Sequence, residues 1–186
     1  MKRLYVRPEL CTGCKTCELA CAVEHSRSKN LLGAMLESPP PHPRLYVEAV
    51  LTSPFEVLKM PMTCRHCDPA PCMAACIPQA MHRSPDDVVT NVGGKHACIA
   101  CGMCVMMCPF GMIARAPNLD GKVMALKCDL CPDRAVPACA ASCPEGAIVF
   151  MEGDEFAHGA RQRASAVLSA ARAMREATLV QSQEEQ

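Results

Sequence analysis

The sixteen cysteines of this chain fall into four runs of four, and none stands outside them. Cys11, Cys14, Cys17 and Cys21 are spaced C-x2-C-x2-C-x3-C; Cys98, Cys101, Cys104 and Cys108 repeat that spacing and lead into Pro109. Cys64, Cys67, Cys72 and Cys76 read C-x2-C-x4-C-x3-C, while Cys128, Cys131, Cys139 and Cys143 read C-x2-C-x7-C-x3-C and lead into Pro144. Thiolates are soft ligands suited to iron and zinc. A cubane [4Fe–4S] cluster takes four of them, and the C-x2-C-x2-C-x3-C-P run is one of its ligand patterns. Four runs imply four clusters and one-electron chemistry.

The spacing has a geometric reason. Three close cysteines on a tight loop wrap three iron corners of a cubane, and the fourth corner faces away. In two-cluster proteins of this pattern the fourth cysteine of each run serves the other cluster. The x3-C-P segment suits that crossing, because it carries the chain about one helical turn away before proline ends the turn. Zinc is the chemical rival, and it would make the chain a zinc-stabilised interaction module. A structural zinc site, however, uses two C-x2-C-like pairs with a longer loop between them. The triplets Cys11/Cys14/Cys17 and Cys98/Cys101/Cys104 do not divide that way. Disulfides fit less well, since the opening MKRLYVRPEL reads as a short strand and a charged turn rather than a signal peptide.

The elements that position these runs are short. Leu4–Val6 is a strand, and a helix runs from Thr16 to about Ser26. Residues 27–43 are a linker ending in Ser38-Pro-Pro-Pro-His-Pro43, where a helix is impossible. Arg44–Leu51 and Phe55–Met60 alternate as a hairpin around Thr52-Ser-Pro54. Gln79–Arg83 with Val88–Asn91, and Met112–Arg115 with Val123–Leu126, read as further strand pairs, and Ala147–Met151 as a last strand. Three segments repeat around the fourth cysteine: Cys72 to Met81, Cys104 to Ile113 and Cys139 to Ile148. Each reads as a helical turn, a break at proline and a short strand, so duplicated units are expected. The first run departs, because Ala22 follows Cys21. From Glu155 to Val180, Val167, Leu168, Ala171 and Met174 recur at helical spacing, an amphipathic helix.

Composition agrees with a small metalloprotein. Formal net charge is zero, which leaves no nucleic-acid footprint. Aromatic residues make up only 3% and there is no Trp, thin for a conventional core. Bound clusters would supply the missing cohesion, so a poorly folded apoprotein is expected. No apolar stretch is long enough to span a bilayer. There is no P-loop, no G-x-G-x-x-G fingerprint and no nucleophile beside a base. The chain is therefore expected not to turn over a substrate by itself.

With these motifs on the page, the chain resembles the four-cluster [4Fe–4S] ferredoxin-type electron-transfer subunits that accompany molybdopterin oxidoreductases, formate dehydrogenases and hydrogenases. The resemblance covers residues 1–152 and rests on the segments Met62 to Cys67, Lys127 to Arg134 and the Cys-Pro-x-Gly turns at Cys108 and Cys143. The stretch Cys11 to His25 is most similar to the CooF-type iron–sulfur partner of anaerobic carbon monoxide dehydrogenase. The resemblance implies an α+β fold of two ferredoxin-like units, one inserted in the other. The outer unit would comprise 1–60 and 119–152, the inner unit 61–118, followed by a helix over 153–180 and a frayed tail over 181–186.

It also implies the ligand sets: Cys11, Cys14 and Cys17 with Cys143; Cys128, Cys131 and Cys139 with Cys21; Cys64, Cys67 and Cys72 with Cys108; Cys98, Cys101 and Cys104 with Cys76. The implied role is an electron relay between carbon monoxide dehydrogenase and an acceptor such as a hydrogenase or reductase. Formate dehydrogenase, hydrogenase or a molybdopterin reductase is the alternative partner. The expected setting is an anaerobic cytoplasm, free or held at the inner membrane face through a complex. His25 and His96 are expected at the surface and His66 as a spacer or hydrogen-bond donor near sulfur. Met60, Met62, Met73, Met103, Met106 and Met107 are expected to fill space around clusters, a copper site being a remote alternative. Arg65, Lys95, Lys122 and Lys127 flank cluster loops and are expected to be solvated.

Overall fold

A computed structural model describes the backbone of residues 1–184 and the side chains of residues 1–176. It is a mixed α+β fold of short elements closed by a long C-terminal helix. The strands are β1 (Lys2–Val6), β2 (Tyr46–Ser53), β3 (Glu56–Met62), β4 (His82–Arg83), β5 (Val89–Thr90), β6 (Ala114–Pro117), β7 (Val123–Leu126) and β8 (Ile148–Glu152). The helices are α1 (Thr16–Glu24), α2 (Leu31–Leu36), α3 (Pro71–Ala74), α4 (Met103–Met107), α5 (Ala138–Ala141) and α6 (Gly153–Glu184). The strands pair two by two: β1 with β8, β2 with β3, β4 with β5 and β6 with β7.

Two compact units result, one of residues 1–5 and 151–186 and one of residues 6–150. In the first, Tyr5 stacks on Phe156 with ring centroids 4.6 Å apart. Beyond that contact α6 leaves its apolar residues Val167, Leu168 and Met174 exposed. The helix runs to Glu184, past its expected end at residue 180, and the last two residues of the expected frayed 181–186 tail lie outside the described residues. The second unit holds every cysteine. One apolar cluster joins Ala70, Met81, Val89, Cys104, Ile113 and Ala125, with Cys72, Cys76, Cys98 and Cys108 packed against it. The core is thus built largely from small residues and sulfur.

Several boundaries differ from the sequence expectation, each for a local reason. The 27–43 linker contains α2, whose N-terminus is capped by Asn30: its Oδ1 accepts from Gly33 N–H at 2.8 Å. The helix stops before Ser38-Pro39, because the residue before proline disfavours helix. Helix α1 ends at Glu24, two residues early. The β2–β3 hairpin turns on Pro54 and Phe55, with a register shift between Leu51 and Ser53. The expected Gln79–Arg83 strand shrinks to His82–Arg83, because Gln79 takes a left-handed backbone with φ 54°.

Candidate metal centres

Local backbone decides where each sulfur points. Every triplet loop contains left-handed residues: Gly13 and Lys15, His66, Ala100 and Gly102, Leu130 and Cys131. Alternating left- and right-handed residues turn successive N–H groups into a concavity that favours negative charge, a device common at iron–sulfur sites. The fourth cysteines are placed by the repeated turn. Gln79, Gly111 and Gly146 each donate their N–H to the carbonyl of the cysteine three residues back, at 2.9, 3.2 and 3.3 Å. All three have positive φ. The chain then brings Met81, Met112 and Ala147 N–H onto the Sγ of Cys76, Cys108 and Cys143 at 3.3, 3.3 and 3.2 Å. Cys21 lacks that proline turn, and its sulfur takes an N–H from distant Arg44 instead, at 3.3 Å.

The cysteines gather in sets. Cys11, Cys14, Cys17 and Cys143 line one cavity, walled by Leu10, Val47, Pro61 and Ile148. Cys64, Cys67, Cys72 and Cys108 line a second, and Cys98, Cys101, Cys104 and Cys76 a third. The remaining four lie within electrostatic reach of one another: Cys21 of Cys131, Cys128 of Cys139 and Cys21, and Cys139 of Cys21 and Cys131. Each set therefore draws three cysteines from one run and its fourth from another. An all-sulfur donor set with N–H bonds aimed at the sulfurs fits a thiolate-bound cluster. The sets also adjoin: Cys139 senses Cys17, and Cys128 senses Cys64. Only Cys14 and Cys101 are exposed, and they belong to different sets.

Burial governs the thiols. Desolvation pushes Cys17 up to about 11 and Cys21 and Cys139 up to about 12, while Cys128 lies well above the ordinary thiol value. Without metal these thiols are protonated at neutral pH, and ligation must displace the protons. Exposed Cys14 goes the other way, lowered by hydrogen bonding from Thr16, whose Oγ1 lies 3.4 Å from the sulfur.

Charged residues near the sulfurs are mostly neutralised. Asp129 forms an ion pair with Arg44, contacts His25 Nε2 at 3.1 Å and accepts from Cys131 N–H at 3.1 Å. Burial works to raise the Asp129 carboxyl, but the His25 hydrogen bond and the Arg44 charge outweigh it and hold it well below the carboxylate range. His25 Nδ1 meets Cys21 O at 2.7 Å, so this histidine ties α1 to the fourth loop rather than standing at the surface.

His66 is 4% exposed, and its Nδ1 accepts from Val89 N–H at 3.1 Å, which puts the ring proton on Nε2. Arg65 is exposed, 5.6 Å over the Phe110 ring, and His96, Lys95 and Lys122 are exposed as expected. Lys127 is not: it is 3% exposed. Met60, Met62, Met73 and Met103 are partly buried, but Met106 and Met107 face solvent. A cleft of about 710 Å³ that no linear pattern announces is lined by Lys29, Arg44, Lys95, Lys122 and Cys98 among others. Among the described residues no helix is long and apolar enough to cross a membrane.

Comparison with known proteins agrees with this chemistry. A family model described as a 4Fe-4S dicluster domain matches residues 55–153. A Rhodospirillum rubrum protein named iron-sulfur protein is 37% identical over 92% of this chain and 94% of its own length. Electron transport protein HydN of Escherichia coli is 32% identical over 78% of this chain and 85% of its own. Hydrogenase-4 component A of Escherichia coli is 29% identical over 84% of this chain and 85% of its own. With more than half its length inside the matched domain, and its cysteines gathered as that chemistry requires, the chain belongs to the 4Fe-4S dicluster domain family of iron–sulfur proteins.

Proposed function

We propose that this protein is an electron carrier holding four [4Fe–4S] clusters, serving carbon monoxide dehydrogenase and passing electrons to a hydrogenase or other reductase. The observation that carries the reading is the sorting of all sixteen cysteines into four sets of four, each with a crossed fourth member. When bound, such clusters supply reversible one-electron storage. The residues of the chain do the rest. Cys14 and Cys101 give the Cys11 and Cys98 sets an edge at solvent, and buried Cys21, Cys131 and Cys139 keep the Cys128 set dry. Backbone N–H bonds to Cys76, Cys108, Cys143 and Cys21 stabilise added negative charge. The inner unit of this reading spans 61–118, inserted in an outer unit of 1–60 and 119–152. The names of the relatives, electron transport protein and hydrogenase component, support the carrier role.

The Cys11–His25 stretch supports carbon monoxide dehydrogenase as the donor. A hydrogenase donor is the second reading, favoured by the hydrogenase-4 relative. Anaerobic mixing of the oxidised holoprotein with each enzyme and its substrate separates them. Rapid bleaching of the iron–sulfur absorption with carbon monoxide and its dehydrogenase is the expected result. Bleaching only with hydrogen and hydrogenase would transfer the assignment, and bleaching by neither would remove both.

A further inference from the structure

We propose that the Lys127 ammonium is the fixed counter-charge of the cluster held by Cys64, Cys67, Cys72 and Cys108, and that it raises that cluster's reduction potential above its neighbours'. The inference rests on the four-cluster reading above and concerns the order of potentials, which that reading leaves open.

Lys127 stands immediately before the fourth cysteine run. The positions before the other three runs hold Leu10, Thr63 and Ala97, so the charge is peculiar to this one. Its side chain is 3% exposed. The ammonium donates to Val89 O and to Cys128 O, the latter at 3.0 Å, and both acceptors are neutral carbonyls. Among the described residues no carboxylate pairs with it. Two other partly shielded cations lie near cysteine sets, and both are paired: Arg44 with Asp129, and Arg83, which donates to Cys67 O, with Asp87 and Asp68.

A buried ammonium without an anion is among the costliest groups a fold can hold. The same side chain lines the cavity of Cys64, Cys67, Cys72 and Cys108; burial raises the Cys72 thiol, and the Lys127 charge works against that rise. Among the described residues, the thiolates of that set are the negative charge its cavity places beside the ammonium. Its carbonyl partners fix it in place: Val89 is clamped from the other side by His66, which lines the same cavity.

The consequence follows from Coulomb's law. Reduction adds negative charge to the cluster, so a fixed cation that borders the large cleft but is only 3% exposed stabilises the reduced form more than the oxidised one. Lys15, beside Cys14, and Arg65 are exposed, and water and salt screen them. The Cys64 set lies beside the Cys128 set, and shares its apolar packing with Cys76, Cys98 and Cys104. Lys127 thus marks an interior position of the row as the place where an added electron rests longest.

The test is an anaerobic EPR-monitored redox titration of wild type, Lys127→Met, Lys127→Gln and Lys127→Arg, with iron and sulfide determined on each. In the Met and Gln variants the reduction equilibrium of one couple should fall about ten- to hundredfold, roughly 60–120 mV at ~59 mV per tenfold. The other couples should stay in place, and Arg should restore most of the loss. Gln keeps an N–H donor for the carbonyls, so a merely structural lysine predicts no shift. Iron-replete Gln protein with unmoved potentials would overturn the proposal. If Met and Gln lose one cluster's iron while Arg keeps it, the counter-charge role stands. Loss in all three overturns it, because the charge would then not be what the site needs. Wild-type protein without acid-labile sulfide would instead sink the cluster reading beneath it.

Discussion

Asp129 shows how a single residue ties three segments to the metal loops. It joins Arg44 just past the linker, His25 after α1 and the N–H of Cys131. Removing one member of a partly buried, hydrogen-bonded ion pair leaves its partners uncompensated, at a cost of about 3 kcal/mol. Asp129→Asn should therefore lower the thermal midpoint of the holoprotein by roughly 6–12 °C for a chain of this size. The sign with pH follows from the depressed carboxyl. Its contribution is full above the unfolded value, about 3.9, and is lost as pH falls from there through the folded one. Below about pH 4 the gap between wild type and variant should narrow. A gap that stays constant from neutral pH down into the acid range would remove Asp129 from this role.

Among the elements, the turn after each fourth cysteine does the positioning. Gly111 and Gly146 take the left-handed residue at no steric cost, but Gln79 pays for its side chain with about 1 kcal/mol of strain. Gln79→Gly should raise stability by up to about 1 kcal/mol with iron content unchanged, while Gly146→Ala should lower it by about 1–2 kcal/mol. Chemical denaturation of the two variants side by side checks the signs, and equal effects would refute the turn argument. The repeat that predicts these turns is visible in the chain because its signals are local: a cysteine, a proline one or two residues later and, in two of the three copies, a glycine at the third position. Helix α2 is not visible that way. Its six residues Leu-Leu-Gly-Ala-Met-Leu are too few to establish a period, and its Asn30 cap sits inside a polar linker. Lys127 is the sharper case. A lysine beside a cysteine loop reads as solvated, and only the approach of Val89, 38 residues away, buries it. Likewise the cysteine runs are legible from spacing, whereas their sorting into sets depends on contacts between distant loops and enters the sequence reading only through resemblance.

Taken whole, the protein has few large buried side chains. Met112, Ile148 and Val89 are the bulkiest apolar ones sealed from solvent, and Leu32, Met35, Leu36 and Phe55 lie exposed. Cohesion must come from whatever the cysteines hold. Chelation of the metal under reducing conditions should abolish cooperative thermal unfolding. A sharp transition retained in the apoprotein would show that the polypeptide core suffices. Helix α6 carries no cysteine, and past Phe156 Val167, Leu168 and Met174 are exposed. Deleting residues 160–186 should leave iron per chain unchanged, and a loss of iron would assign the helix a structural part in the sites. The central claim, four cubanes in one chain, is tested most directly by iron, zinc and acid-labile sulfide per chain in anaerobically purified protein, with EPR after reduction. The account predicts about sixteen iron and about sixteen sulfide with interacting S = 1/2 signals; zinc without sulfide would contradict it.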